Sequence, residues 1–225
     1  MKRSEINAII ADSKAFLAKH QFLLPPWAYW APKDWKGKGE VAAEIVQNML
    51  GWDITDFGSG DFARYGLVLF TLRNGNLARG DKKTYAEKIM IVQENQRTPF
   101  HFHWSKMEDI INRGGGNLVI DLYASDEKEE FKQEPVRIRV DGIERVVAPG
   151  GRIILRPGES VCFEQGIYHE FYGETGQGTV LVGEVSQVND DATDNRFYKP
   201  VGRFPEIEED EPPLHLLCNE YEAYL

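Results

Sequence analysis

Residues 98–110 read Thr-Pro-Phe-His-Phe-His-Trp-Ser-Lys-Met-Glu-Asp-Ile, TPFHFHWSKMEDI. The chain has five histidines, and two of them, His101 and His103, stand here one residue apart with Glu108 five positions further on. On an extended strand, side chains two apart project to the same side. His101 and His103 would therefore project together, with Phe102 packing on the opposite face. The residues WSKM supply a turn that would return Glu108 towards the two imidazoles, whereas Asp109 would face the other way. A third histidine, His169, lies in FEQGIYHEFYG, residues 163–173, within a later strand. A sheet that rolls into a barrel brings that strand beside the first. A His pair at i and i+2 is by itself as consistent with an ordinary surface or core as with ligation. Adding Glu108 and His169 turns the reading to metal: three neutral imidazoles and a carboxylate suit manganese, iron, cobalt, nickel or zinc better than calcium or magnesium. His20 and His215 have no such company and read as structural.

Around this stretch the chain alternates short apolar runs with turn signals. YGLVLFTLRNGN, AEKIMIVQ, GGGNLVIDLYAS, PVRIRV, GGRIILRPGESVCFE, YHEFYG and GTVLVGEVSQV follow one another at regular intervals after Gly60. Between them fall Asn74-Gly75, Asp141-Gly142, Pro149-Gly150-Gly151 and Pro157-Gly158. Many short strands at even spacing predict a mainly β chain, a double-sheet jelly-roll barrel. Ahead of it, Ser4 as N-cap with Ile6, Ile9, Ile10, Phe16 and Leu17 predicts a helix, and Val41, Ile45 and Met49 predict a second over 40–50, stopped by Gly51. Between the two helices FLLPPWAYWAPKDW, residues 22–35, is too rich in proline for a regular helix. It reads as a packed loop laying tryptophans over the core, the functional alternatives being a sugar-stacking wall or a subunit contact. The acidic EIEEDEPP, residues 206–213, reads as a solvated loop or an arm. The expected organisation is one domain: N-terminal helices and aromatic loop over 1–60, the barrel over 61–200 and an extension over 201–225.

Composition narrows the class. At 225 residues with 42% apolar side chains the chain can build a sizeable core, and its net charge of −10 argues against a nucleic-acid partner. The amino terminus MKRSEINAIIADSKAF lacks the uninterrupted apolar run of a signal peptide, and no segment approaches a membrane span. Two cysteines, Cys162 and Cys218, are too few for a disulfide framework, so a reducing cytoplasm is the expected setting.

HFHWSKMEDIINRGG, as His-x-His-x4-Glu followed by glycines, resembles the first motif of the cupin superfamily. FEQGIYHEFYG resembles the second, with Gly166 three positions before His169. Glu164 stands where many cupins carry proline and Gly173 where asparagine is common, departures that touch turn shape rather than ligands. The amino-terminal helices, the aromatic loop, HFHWSKMEDI and GEVSQVNDDATDNRF, residues 183–197, together resemble bacterial D-lyxose isomerases of the cupin type, nearly end to end. The resemblance implies a manganese-dependent aldose–ketose isomerase converting D-lyxose to D-xylulose, with D-mannose and D-fructose as further substrates. It carries over His101, His103, Glu108 and His169 as metal ligands.

That chemistry moves a proton between C2 and C1 through an enediol, with substrate O1 and O2 at two open positions of a six-coordinate cation; a tetrahedral zinc would already be saturated, which favours manganese. A base is needed as well. Glu184, alternating with Val182 and Ser186 in VLVGEVS, would serve if that face points inward; facing solvent is the alternative. Lys88, alternating with Met90 and Val92, would polarise or hydrogen-bond a sugar oxygen as a second catalytic residue, or else snorkel at an edge. Asp194 and Arg196 sit in a polar loop that would close over a sugar, and only the resemblance lifts them above ordinary loop charges. Proton transfer and hydride shift both fit these residues. So do two other classes, an Fe(II)-dependent cupin dioxygenase and a non-catalytic sugar-binding cupin. Exposed strand edges in such barrels are commonly covered by a second copy, so a homodimer is expected.

Overall fold

The computed structural model describes residues 1–190 and 193–225. Its strands are β1 (Gly51–Thr55), β2 (Leu67–Arg73), β3 (Tyr85–Val92), β4 (Thr98–His103), β5 (Glu108–Gly115), β6 (Leu118–Ser125), β7 (Phe131–Lys132), β8 (Val136–Val140), β9 (Ile143–Val147), β10 (Arg152–Leu155), β11 (Ser160–Phe163), β12 (Ile167–Gly173), β13 (Val180–Gln187) and β14 (Asn195–Phe197). They form two antiparallel sheets, one in the order β1-β2-β3-β13-β5-β11-β8-β9 and the other in the order β10-β6-β12-β4-β14, with β7 beside β6. The jelly-roll expectation holds. Among the described residues no helix is long and apolar enough to cross a membrane.

Which strands alternate and which are apolar throughout follows from what covers them. In β8, Val136, Ile138 and Val140 are buried while Arg137 and Arg139 face out, the pattern of a sheet wet on one side. In β2 and β3 both faces are covered. Leu67, Leu69, Met90 and Val92 join the core between the two sheets. Val68, Phe70, Ile89 and Ile91 pack instead beneath Ile6, Ile10 and Leu17 of the amino-terminal helix α1 (Arg3–Lys19). A buried polar side chain on the inner face of β3, such as Lys88, is therefore enclosed between the sheets rather than at an edge.

The aromatic stretch 22–35 is a packed loop of two short 3-10 turns, Pro26–Tyr29 and Pro32–Trp35. Trp27 lies 5.0 Å from the Phe70 ring, Trp30 meets Trp35 edge-on at 5.1 Å, and Trp35 stacks on Tyr221 at 4.2 Å. The stretch thus joins the sheet to the carboxyl-terminal segment.

Three local readings are corrected. α1 begins at Arg3 with Lys2 as its N-cap residue, and Ser4 instead binds the Asp210 carboxylate. The second helix contracts to α2 (Ala43–Gln47), because Val41 and Met49 are exposed while Ala42, Ile45 and Val46 pack. Gly51 opens β1 rather than only stopping a helix. Asn74-Gly75 makes no two-residue hairpin; the β2–β3 connection runs through 74–84 with a 3-10 turn at Leu77–Arg79. Asp141-Gly142 does make one, both residues having positive φ as a type I′ turn needs.

The acidic segment 206–213 straps onto α1. Arg3, only 1% exposed, binds the carboxylates of Glu209 and Glu220, and Asn7 binds Glu211. Removing the guanidinium strands a largely buried Glu220 carboxylate. We expect Arg3→Met to lower the unfolding free energy by about 2 kcal/mol, less than a fully buried pair because Glu209 is half exposed, measured by urea denaturation at pH 7. Arg3 holds the Glu209 carboxyl below its ordinary 4.5. The Arg3 contribution is therefore full above that value and fades as pH falls through the lowered one, so the difference between the variant and wild type should shrink on the acid side.

Candidate metal centre and active site

The two histidines of β4 and the carboxylate after them lie on different sheets. β4 belongs to the six-stranded sheet, where His101 is the register partner of His169 on β12. β5 begins at Glu108 in the eight-stranded sheet, where Glu108 pairs with Ser186 of β13. The four residues of WSKM are thus the crossing from one sheet to the other, which is why the carboxylate follows His103 by five positions. Asp109 is exposed on the outer side, as the alternation requires.

The crossing is held at both ends. The Asp194 carboxylate accepts the backbone N–H groups of Ser105 at 2.7 Å and Lys106 at 3.0 Å. Gly166, with φ near +74°, donates its N–H to the His103 carbonyl, tying the two histidine motifs together. Each imidazole is also oriented from behind. Nδ1 of His101 lies 2.8 Å from Pro99 O, Nδ1 of His103 lies 3.1 Å from Asp194 O, and Nδ1 of His169 lies 3.0 Å from Ile167 O. A carbonyl oxygen only accepts, so each Nδ1 carries a proton, and in a neutral ring each Nε2 then presents a lone pair. Phe163 stacks flat on the His169 ring at 4.6 Å.

Those lone pairs converge. One donor atom from each of His101, His103, Glu108 and His169 lies within 4.8 Å of all the others, and all four residues are buried. Nε2 of His103 and of His169 stand 3.2 and 3.0 Å from Glu108 Oε1. Yet none of these three buried atoms is in hydrogen-bonding geometry with any partner. Buried polar atoms are rarely left so. A cluster of inward lone pairs and a carboxylate oxygen, with no proton to share among them, fits a divalent cation. Burial, with the neighbouring imidazoles of His169 and His103, pushes His101 well below its usual value and so keeps it neutral, the form that ligates.

Beside the cluster is a second set of charges. Lys106 Nζ lies 3.0 Å from Glu108 Oε2, 2.8 Å from Glu184 Oε1 and 2.8 Å from Asn189 Oδ1. Lys88 Nζ, from the register partner of Glu184, lies 3.4 Å from Glu184 Oε1 and 2.8 Å from Asn189 Oδ1. Burial alone would raise both carboxyls. The Lys106 ammonium together with His103 and His169 outweighs it at Glu108, and Lys106 with Lys88 outweighs it at Glu184, so both are held below the ordinary carboxylate value and ionised. All of these side chains except Asn189 line one cavity of about 70 Å³, together with Thr98, Phe197 and Arg203. Arg203 also borders a wider cavity of about 460 Å³, which Asn189 lines as well.

The structure thus brings together His101, His103, Glu108, His169, Glu184 and Lys88. Glu184 and Lys88 point inward, not to solvent. Asp194 is buried but its carboxylate is engaged by the crossing, and Arg196 pairs with Glu129 at 2.6 Å and is absent from the cavity wall. Asp191 and Ala192, within GEVSQVNDDATDNRF, lie outside the described residues. Sequence reasoning missed Lys106, although a lysine between the ligands of a metal motif was a usable signal. It also missed Thr98, Asn189 and Arg203, which carry no local signature.

The family model for D-lyxose isomerase matches residues 1–221. The chain is 50% identical to the D-lyxose/D-mannose isomerase of Serratia proteamaculans and 48% identical to that of Escherichia coli O157:H7, each over the full length of both chains. Among solved structures, the L-ribose isomerase of Cellulomonas parahominis with L-ribose superposes with a TM-score of 0.62 at 16% identity, covering 92% of this chain and 98% of that one. This last likeness is one of fold.

The converging lone pairs give a direct expectation. His103→Ala should drop the bound transition metal, by elemental analysis, to below roughly a tenth of wild type while circular dichroism stays unchanged. Wild-type metal content in the variant would sink the ligand assignment.

Proposed function

The chain belongs to the D-lyxose isomerase family, and on that premise we propose that it is a metal-dependent isomerase interconverting D-lyxose with D-xylulose, and D-mannose with D-fructose. The observation that carries the reading is the meeting of two arrangements: four donor atoms converging for a cation, three of their residues (His101, His103 and Glu108) on the wall of one cavity, and on that same wall an ionised Glu184 flanked by two ammonium groups. His101, His103, Glu108 and His169 would hold the cation, which we take to be manganese. When bound, it supplies Lewis acidity towards the carbonyl and hydroxyl oxygens at C1 and C2.

The side chains divide the remaining work. Glu184 takes the C2 proton of the aldose and returns it to C1. Its Oε1 faces Lys106 and Lys88, so Oε2 is the oxygen we assign to that proton. Lys88 and Lys106 donate to substrate oxygens and stabilise negative charge as it develops on them, in a cavity where water does not screen it. Glu108 belongs to both arrangements, one oxygen turned to the imidazoles and the other to Lys106. Asp194 positions the crossing that carries Lys106 rather than meeting the sugar itself. Arg196, held on Glu129, would reach a substrate only by leaving that pair.

An iron oxygenase or a sugar-binding barrel without activity fits the four ligands alone. Two buried lysines around a buried glutamate, in a chain of this family, favour the isomerase. We further place the protein in the cytoplasm as a homodimer. Supporting this are two cysteines without a disulfide and the edge strand β9, on which Ile143 and Val146 remain exposed.

Thorough chelation should abolish conversion of D-lyxose, and manganese should restore it. Undiminished turnover after metal removal would overturn the reading. Glu184→Gln should lower kcat by roughly 100-fold or more with metal content unchanged. Deuterium placed at C2 of D-lyxose should wash out partly into solvent, whereas complete retention at C1 would replace proton transfer with a hydride shift.

A further inference from the structure

β4 carries a bulge next to the metal motif. His101 pairs with His169 and Thr98 pairs with Phe171, so three steps on β4 match two on β12. A strand without a bulge would turn side chains an odd number of positions apart to opposite faces. The extra residue turns both Thr98 and His101 into the same cavity. Pro99, which has no N–H to give the ladder, occupies the irregularity, and its carbonyl orients the His101 ring.

Thr98 is 3% exposed, and its Oγ1 is buried with no hydrogen-bond partner. A threonine hydroxyl offers one donor and two acceptor positions, and a buried one normally spends them on nearby backbone. This one does not. Leu67, Leu69, Met90 and Phe171, which line the same cavity, are apolar and offer it no strong hydrogen-bonding group. Two residues of the partner strand separate it from His101, about 7 Å along the sheet, comparable with an extended five-carbon chain.

We propose that the Thr98 hydroxyl binds the terminal hydroxyl of the acyclic substrate, the C5 oxygen of an aldopentose, and thereby sets the response of the enzyme to changes at that carbon. The inference rests on the isomerase reading above, with the reacting C1 and C2 at the imidazole end. Thr98 then acts as a specificity residue, remote from the proton transfer.

The test pairs an enzyme change with a substrate change. On metal-loaded protein, Thr98→Val should lower kcat/KM for D-lyxose roughly tenfold, and Thr98→Ser should keep it within about threefold of wild type. On 5-deoxy-D-lyxose, wild type and Thr98→Val should be equal. Differences in the ring-open fraction of the two sugars cancel in that comparison. Calorimetric titration with xylitol, which cannot isomerise, should show a Kd roughly tenfold weaker for Thr98→Val at unchanged metal content. An equal loss on both sugars would show a merely structural threonine and overturn the proposal, as would unchanged kinetics and xylitol binding. Should the valine variant not fold, Thr98→Ala takes its place in the same measurements. Absence of any wild-type turnover of D-lyxose would instead count against the isomerase reading, while the xylitol titration would still judge Thr98.

Discussion

A carboxylate oxygen facing three imidazole nitrogens, all four buried, is an arrangement that no apolar packing can satisfy. With neutral imidazoles, Glu108 Oε1 and the inward nitrogens have no proton to share, because the one ring proton of each is given to a backbone carbonyl on the other side of its ring. The arrangement persists only if the backbone fixes it. β12 places His169 opposite His101, Gly166 ties the second motif to the first, and Asp194 clamps the turn that carries the chain from one sheet to the other. The barrel is therefore more than a container: its inter-sheet crossing sets the spacing of the ligand motif.

The neighbouring charges follow from the same constraint. An ionised Glu108 deep between two sheets requires compensation, and Lys106, carried on the crossing itself, supplies it at Oε2. Lys106 brings Glu184 with it, and Glu184 brings Lys88, its cross-strand partner. Two carboxylates and two ammonium groups thus balance before any cation is counted, and Asn189 accepts from both lysines. Asn189 is fixed in turn by a reciprocal pair of bonds with Asn74. The role proposed for Glu184 depends on this order, in which its ammonium neighbours keep it ionised and able to accept a proton while lowering its basicity. A carboxylate held ionised by fixed ammonium groups is available as a base, and the same groups stand ready for the negative charge that proton removal creates.

How much of this the sequence could show depends on range. His101, His103 and Glu108 were legible because a two-residue period and one turn are local facts, and His169 because its strand is strongly apolar. The inward aim of Lys88 and Glu184 was legible as alternation but not as burial, since alternation does not say which face is covered. α1 decides that, and its contact with β2 and β3 is long-range. Asn74-Gly75 misled for a related reason: a dipeptide suited to a tight turn is used to hold Asn189, 115 residues away. Trp52 and β1 were hidden behind a glycine that reads as a helix stop. Arg203 belongs to an expected extension beyond the barrel and reaches the cavity only because the chain beyond it is anchored on Trp52 and Arg3.

That anchoring gives the parts outside the barrel a reason. β1 and β2 present an outer apolar face that the jelly roll leaves uncovered, and α1 with the aromatic stretch 22–35 covers it. The carboxyl-terminal segment then closes over both. Leu217 bridges to Trp52, Tyr221 stacks on Trp35 and donates to the Leu50 carbonyl, and Arg3 gathers Glu209 and Glu220. Between this closure and β14 runs the stretch carrying Arg203, which pairs with the buried Asp53 of β1 and borders both cavities. One wall of the site is thus assembled from the first strand and the last segment of the chain. Loosening either end would be felt at the cavity without touching a metal ligand, which makes the terminal strap part of the active site's architecture rather than an appendage to it.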